Sequence, residues 1–295
     1  MSNILVILTG GTIGSSVENN LISVNLNSKK YKIIELYKEK NPDLSKDIIF
    51  ETCEPYTILS ENLSGKYINK LISCVNENVK KSYDGIIITH GTDTLQYTAA
   101  ALGIIFNAVN IPVILVSSNY ILEDKRANGL DNFSLAVKYI RDKCTPGIYV
   151  SYDGKTTSGL TLLPHMAYSD KLYRIDNSDT DFDFIDIDGT KNTLSDISPV
   201  LFLKAVPGQF YPDLEITHPK AILFETYHSG TLCTDSKAFK EFCDKANSLN
   251  IPVYVVGIEE RIQYESTSAY EELHLKVLGK ISPVTAYMML WIKYS

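Results

Sequence analysis

The sequence predicts an α/β fold with a mainly parallel sheet, because short apolar runs alternate with segments of helical periodicity. The runs at residues 4–8, 85–89 and 112–116 are apolar along nearly their whole length, which is typical of strands buried on both faces. Residues 67–79 carry apolar side chains at helical spacing and predict an amphipathic helix. Strands that alternate with helices imply right-handed crossovers, and therefore parallel strands.

The predicted elements form two series along the chain. The first series consists of strand 4–8, helix 31–39, strand 47–53, helix 67–81, strand 85–89, helix 94–106, strand 112–116, helix 128–141 and strand 147–152. The second consists of strand 221–224, helix 235–249, strand 252–256 and a final helix from Pro283 to about Ile292. We therefore expect two domains, 1–190 and a smaller α/β domain at 210–295, joined by a linker at 191–209 that contains Pro207 and Gly208.

Composition argues against several classes of function. The formal net charge of −7 leaves no basic surface for nucleic acid or for anionic membranes. No apolar run reaches the ~20 residues of a membrane span, and the first strand begins too early to follow a signal peptide. Five scattered cysteines, at positions 53, 74, 144, 233 and 243, favour reduced thiols. We expect a cytoplasmic protein with neither a nucleic-acid partner nor a membrane.

An aspartate-rich segment at residues 170–188 interrupts the regular pattern. Asp179, Asp181 and Asp183 alternate as in a calcium loop, but the glycine and the terminal glutamate of the EF-hand pattern are missing. We interpret the segment as a solvated loop. The sequence thus predicts no metal site, and nothing else in it asks for a cofactor.

Two loops rich in glycine and threonine follow buried strands directly, at residues 9–14 and 89–94. Open α/β sheets bind their ligands at the carboxyl ends of parallel strands, where such loops lie. The first loop has neither dinucleotide-binding nor P-loop spacing, and a tight turn capped by threonines is the alternative interpretation.

The second loop has its own structural alternative, in which Asp93 or Thr94 caps the following helix. That arrangement still places Thr92 and Asp93 at a helix N-terminus, where backbone dipoles favour a developing negative charge. Two strand ends that each deliver a threonine predict one cleft, with Thr12, Thr92 and Asp93 as its reactive groups.

These loops resemble the two signatures of the bacterial asparaginase/glutaminase family, in which a threonine is the nucleophile. The signatures are Thr-Gly-Gly-Thr-Ile-Gly at 9–14 and His-Gly-Thr-Asp-Thr at 90–94, and the resemblance, which extends over nearly the whole chain, is closest to the cytoplasmic type I. Supporting matches are segments 60–63, 111–118 and 281–286, together with Arg126 and Asn132.

The resemblance implies a two-step hydrolysis of the side-chain amide of L-asparagine or of a related small amide. Thr12 would attack the amide to give an acyl-enzyme and ammonia, and water would then release the acid. Thr92 would position the water or assist proton transfer. Asp93 would hold the substrate α-amino group, and Ser60 its α-carboxylate.

The family also implies features beyond these side chains. Gly11 and Gly91 would contact the substrate, and backbone N–H groups of the loops would form the oxyanion hole. A homodimer or homotetramer is expected, as are two domains of which the first has flavodoxin-like winding.

Three positions depart from the family pattern. Leu21 stands where the family has a loop tyrosine, and Leu163 or Pro164 stands at the position of a lysine that accepts a proton. His165 and Lys155 are the titratable neighbours that we consider as a replacement base.

The third departure is Glu61, which stands where a neutral residue is expected beside the substrate. Its carboxylate would repel a substrate carboxylate unless a cation pairs with it or its pKa is raised. Two alternatives therefore accompany an asparaginase: an amidohydrolase with a different amide substrate in a biosynthetic pathway, and a binding protein that has lost turnover.

Overall fold

A computed structural model of the chain describes residues 1–18, 21–24, 32–143, 145–175, 192–258 and 264–295. The chain forms two compact units, Met1–Tyr173 and Arg174–Ser295. Each unit contains its own sheet of parallel strands, which confirms the predicted α/β class.

The first unit contains eight described strands and five described α-helices. The strands are β1 (Ser2–Leu8), β2 (Ser15–Glu18), β3 (Leu21–Val24), β4 (Ile48–Cys53), β5 (Gly85–Thr89), β6 (Pro112–Val116), β7 (Gly147–Tyr152) and β8 (Lys155–Ser158). The helices are α1 (Lys32–Lys40), α2 (Pro42–Ser45), α3 (Gly65–Asn78), α4 (Leu95–Ile105) and α5 (Gly129–Arg141).

Six of these strands form the main sheet, in the spatial order β4-β1-β5-β6-β7-β8. The first five are parallel, and β8 runs antiparallel to β7. The five parallel strands, numbered along the chain, lie in the order 2-1-3-4-5, which is the flavodoxin-like winding that the resemblance implied. β2 and β3 form a separate antiparallel hairpin.

One face of the main sheet packs against α1 and α5. Side chains that alternate along β1, such as Ile4 and Val6, join Ile33 and Phe133 in one buried cluster. The ring of Phe133 meets Tyr37 edge-on at 5.7 Å between centroids. This packing seats the central strands, so that the loops at their carboxyl ends start from fixed points.

The second unit contains a four-stranded parallel sheet in the order β12-β11-β10-β9. Its elements are β9 (Val200–Lys204), α6 (Leu214–Thr217), β10 (Ala221–Glu225), α7 (Lys237–Ser248), β11 (Val253–Val256), α8 (Glu265–Ser268), β12 (Leu275–Val277) and α9 (Pro283–Tyr294). Its core is aromatic: Tyr211 stacks on Phe242 at 4.9 Å, and Phe239 meets Phe224 edge-on at 5.5 Å.

The chain organisation differs from the predicted boundaries in two respects. The first unit ends at Tyr173, before the predicted boundary at 190. The predicted linker at 191–209 contains β9, which pairs with β10 as a sheet strand. Between Pro199 and Pro207 this strand is too short to show a period, so pairing with β10 is what identifies it. Of the aspartate-rich segment, residues 176–188 lie outside the described residues.

None of the helices in the described part of the chain is long and apolar enough to cross a membrane. Within the same residues, no cluster of three or more histidine, cysteine, aspartate or glutamate side chains has a geometry that would hold a metal ion.

Candidate active site

Three loops meet at the carboxyl ends of β1 and β5, and glycines form the contact between them. Gly10 and Gly11 have φ values of +96° and +71°, which glycine adopts without strain. A Cβ atom on Gly11 would lie 2.3 Å from the backbone nitrogen of Gly91, and one on Gly91 would lie 2.4 Å from Cβ of Ser60. Both predicted loops therefore touch each other, backbone to backbone.

The third loop continues the parallel pairing of β1 with β4 beyond the strands. The Ile58 N–H donates to the Thr9 carbonyl at 3.1 Å, and the Gly11 N–H donates to the Ile58 carbonyl at 3.0 Å. Ser60 follows at the start of a 3-10 turn, Ser60–Asn62, and is buried. The resulting register brings Ser60 to the second loop, where its carbonyl accepts the Thr94 hydroxyl at 3.0 Å.

Thr12 opens a 3-10 turn, Thr12–Gly14, directly after the two glycines. The turn is closed by the Ser15 hydroxyl, which donates to the Gly11 carbonyl at 2.8 Å. The Thr12 side chain is half-buried, and no residue in the described part of the chain hydrogen-bonds its hydroxyl. Thr12 thus lies next to the contact between the loops, and its hydroxyl has no hydrogen-bond partner among the described residues.

The Thr92 hydroxyl is held by two groups from the loop after β6. It donates its proton to the Ser118 carbonyl at 2.9 Å. Because that proton is used, the Ser117 hydroxyl at 3.0 Å must donate to the Thr92 oxygen. Asn132 supports this loop, since its amide donates to the Ser117 carbonyl at 2.9 Å. The carbonyl of the Asn132 side chain accepts from the Asp153 N–H at 3.1 Å.

Sequence reasoning did not single out Ser117 and Ser118 as site residues. The sequence contains a pattern that could have identified them. Both serines directly follow the fully buried strand β6, just as Thr92 lies in the short loop after the fully buried strand β5. Neighbouring parallel strands end at the same edge of a sheet, so their following residues meet.

Asp93 lies exposed in the turn before α4. The Ser60 hydroxyl approaches Asp93 Oδ2 at 3.4 Å, and the Gln96 amide donates to the Asp93 carbonyl at 3.0 Å. Thr94 occupies the N-cap position of α4, yet its side chain makes no capping bond and is directed to the Ser60 loop. The Thr94 hydroxyl therefore joins two loops and does not cap the helix.

His90 is a buried part of the second loop. Its Nδ1 contacts the Gly91 carbonyl at 2.9 Å and must donate there, because a carbonyl only accepts. The other nitrogen, Nε2, then accepts the Thr98 hydroxyl at 2.9 Å. Burial lowers the pKa of His90 to about 4, so the neutral ring connects the loop to α4 at neutral pH.

The two candidate replacement bases both lie near the carboxyl end of β7. Lys155 begins β8 opposite Tyr152 and is exposed. His165 is half-buried, meets the Tyr152 ring edge-on at 6.0 Å, and its Nε2 donates to the Ser169 carbonyl at 2.9 Å. Among the described residues, neither side chain is hydrogen-bonded to Thr12 or Thr92.

The structure also describes the positions predicted to depart from the family pattern. Leu163, one of the two positions predicted to align with the family lysine, donates its backbone N–H to the Tyr173 carbonyl at 2.9 Å. Glu61 is exposed on the 3-10 turn beside Ser60. Leu21 begins β3, and its side chain lies outside what the structure describes.

The glycine contact predicts a large effect for the smallest possible side chain. Gly91→Ala would place a methyl group against backbone and Cβ atoms that cannot rotate away, so we expect a loss of about 1–3 kcal/mol in the free energy of unfolding. Gly14→Ala is the matched control, since a Cβ there meets no described atom within 4 Å. Urea denaturation of both variants measures the difference, and equal stabilities would contradict the close contact.

Neutral His90 predicts a pH dependence of stability. Because its folded pKa is about 4 and the ordinary value is 6.5, the unfolded chain binds a proton between these pH values that the folded chain does not. Stability is therefore unaffected above pH 6.5 and falls as the pH drops toward 4, by about 3 kcal/mol in the limit.

Denaturation of the wild type and of His90→Gln from pH 7.5 to 4 measures this effect. The other four of the five histidines are common to both proteins, so the difference between the two pH profiles isolates His90. Parallel profiles would show that His90 is not held neutral.

Comparison with solved structures shows the same fold in L-asparaginases. The thermostable L-asparaginase from Thermococcus kodakarensis is 22% identical, with a TM-score of 0.74 over 98% of this chain and 92% of that chain. The L-asparaginase I from Vibrio cholerae is 18% identical, with a TM-score of 0.76 over 100% and 93%. At these identities the likeness concerns the fold alone.

Similar sequences include one of the subunits of glutamyl-tRNA(Gln) amidotransferases. The relative from Methanobrevibacter smithii is 34% identical over 116 residues, which are 39% of this chain and 26% of the relative. That from Saccharolobus islandicus is 37% identical over 123 residues, or 40% and 25%. The matched segments thus span about a quarter of the length of these two relatives.

The family model that matches this chain is described as "Asparaginase, N-terminal", and the match covers residues 3–164. It includes the three loops that meet at Gly91 and more than half of the 295 residues. The chain belongs to the asparaginase family.

Proposed function

We propose that this protein is an amidohydrolase that converts L-asparagine, or a related small amide, to the acid and ammonia through an acyl-enzyme on Thr12. The observation that supports the proposal is the contact of Gly11 with Gly91 and of Gly91 with Ser60, which joins the three loops that carry Thr12, Thr92 and Ser60. The Thr12 hydroxyl has no hydrogen-bond partner among the described residues, and the Thr92 hydroxyl on the adjoining loop is held by Ser117 and Ser118. A free hydroxyl on one loop and a held hydroxyl on the next suit nucleophilic attack. Membership of the asparaginase family supports the same chemistry.

In the proposed first step, Thr12 Oγ attacks the amide carbon, its proton passes through the general base to the amide nitrogen, and the C–N bond breaks to release ammonia. Backbone N–H groups of the first and second loops and of the start of α4 stabilise the oxyanion. Gly11 and Gly91 contact the substrate. Water then attacks the ester and restores the Thr12 hydroxyl. Thr92, held between Ser117 and Ser118, orients this water.

In this proposal the substrate is held through its two α-substituents. Asp93 binds the α-amino group and the Ser60 hydroxyl binds the α-carboxylate; the two side chains approach each other at 3.4 Å. A single α-amino acid therefore spans both groups, which favours a small amide.

For the missing lysine, we propose His165 as the replacement base rather than Lys155. The Ser169 carbonyl holds the proton on Nε2, so the lone pair of Nδ1 is left without a partner among the described residues. Lys155 is exposed, and it lacks the burial that makes a lysine an effective base.

A second candidate function is amide hydrolysis on a different substrate. It is favoured by the exposed carboxylate of Glu61 next to Ser60, which opposes binding of a free α-carboxylate. The similar amidotransferase subunits indicate that relatives of this chain serve other amide chemistry.

We further propose that the protein forms a homodimer or homotetramer and that it acts in the cytoplasm.

Ammonia release tests the proposed function. We expect turnover of L-asparagine by the wild type and a decrease in kcat of at least about 10³-fold in Thr12→Ala, because the nucleophile is removed. Thr217→Ala, at an exposed threonine of the second unit, is the control and should retain full activity.

A panel of L-glutamine, D-asparagine and α-blocked asparagine amides separates the two candidate functions. Turnover of blocked amides alone would favour the second. A protein that binds an amide without ammonia release and without a covalent adduct on Thr12 would be the binding relative, and would overturn both.

Replacement of the candidate bases gives a separate prediction. His165→Asn should lower kcat by about 10²–10⁴-fold, the usual contribution of a general base, whereas Lys155→Met should change it by less than about 10-fold. Steady-state kinetics with the best substrate of the panel measures both. A larger loss in Lys155→Met would assign the base to the lysine instead.

A further inference from the structure

Two thiols lie side by side in the first unit, apart from the proposed reaction. Cys53 is the last residue of β4, and Cys74 lies in α3. Their sulfur atoms are 3.2 Å apart, and both residues are half-buried, free cysteines. Disulfide formation requires the sulfurs to approach by about 1 Å more, to a bond length near 2.05 Å.

The pair opens onto solvent through a surface cleft of about 530 Å³. Both cysteines line this cleft together with Pro55, Ser73 and the lysines at 66 and 70. A reagent of low molecular weight can therefore reach the thiols, in contrast to Cys243, which is buried in α7.

The surroundings distinguish the two sulfurs chemically. Either thiol can donate in this contact. With Cys74 as the donor, the hydrogen bond lowers the pKa of Cys53 more than burial raises it, and the positive charge of Lys81 lowers it a little further. The same bond and burial raise the pKa of Cys74. In this arrangement Cys53 attacks first and Cys74 resolves the mixed disulfide.

We propose that Cys53 and Cys74 form a reversible redox site, which low-molecular-weight disulfides oxidise to an intramolecular disulfide. The Cys53 thiolate attacks one sulfur of the reagent, breaks its S–S bond and expels one thiolate. Cys74 loses its proton to solvent and attacks the Cys53 sulfur of the mixed disulfide, expelling the second thiolate. Two protein thiols are oxidised and one small disulfide is reduced to two thiols.

The cross-link has a defined structural consequence. It closes the chain between residues 53 and 74, and this closed segment contains Ile58 and Ser60, which meet the first and second loops. A disulfide restricts the unfolded chain more than the folded one, so the oxidised protein is the more stable form. This inference does not depend on the proposed amide hydrolysis.

Oxidation of the purified protein with glutathione disulfide tests the site. We expect the intact mass to decrease by two hydrogens and Tm to rise. Tryptic digestion should locate the disulfide, by joining peptide 47–66 to peptide 71–80. Dithiothreitol should reverse all three. Glutathione attached separately to Cys53 and Cys74, with no joined peptide, would overturn the proposal.

Single variants give the order of the two steps. In Cys74→Ser the reaction should stop with glutathione bound to Cys53, and Tm should not rise. Cys233→Ser, which removes an exposed cysteine of the second unit, is the matched control and should still form the joined peptide. Should Cys74→Ser not fold, Cys74→Ala provides the same measurement. A variant lacking Cys74 that still gains Tm on oxidation would assign the effect elsewhere.

Discussion

The candidate site depends on one contact, in which Gly11 and Gly91 approach closely enough to exclude any side chain. The strands β1 and β5 are neighbours in the sheet, so their loops leave the same edge side by side. Only a residue without Cβ lets the two backbones touch there. The contact also admits Ser60 against Gly91, and thereby joins a third loop to the first two.

Around this contact, buried polar groups hold the second loop in a single arrangement. A neutral His90 spans from the Gly91 carbonyl to Thr98 in α4. On the other side, Ser117 and Ser118 use both the proton and a lone pair of the Thr92 hydroxyl. Buried hydrogen bonds of this kind are costly to leave unmade, so the loop geometry is well specified. A preorganised site is what amide hydrolysis requires.

The departures that the resemblance predicts fall on groups that would move protons or bind charge, and the loop scaffold is retained. The predicted absence of the lysine, at Leu163 or Pro164, would change the proposed proton path and would leave Thr12 and its loop unaltered. The exposed Glu61 changes the charge next to Ser60 without changing the backbone that positions Ser60. The scaffold and the reactive groups are thus separable, so that a chain with the fold of the L-asparaginases can act on a different amide.

The amino-acid sequence by itself determined the α/β class, most elements of the first unit and the two loops of the candidate site. Fully buried strands are apolar throughout, and a glycine-rich turn after such a strand is readable without neighbours. The tertiary structure decided which groups meet across long separations: Ser117 with Thr92, His165 with Ser169 at the end of β7, and Cys53 with Cys74. The strand β9 was likewise identified only by its partner. Such contacts follow from strand order and helix packing, which short-range patterns do not encode.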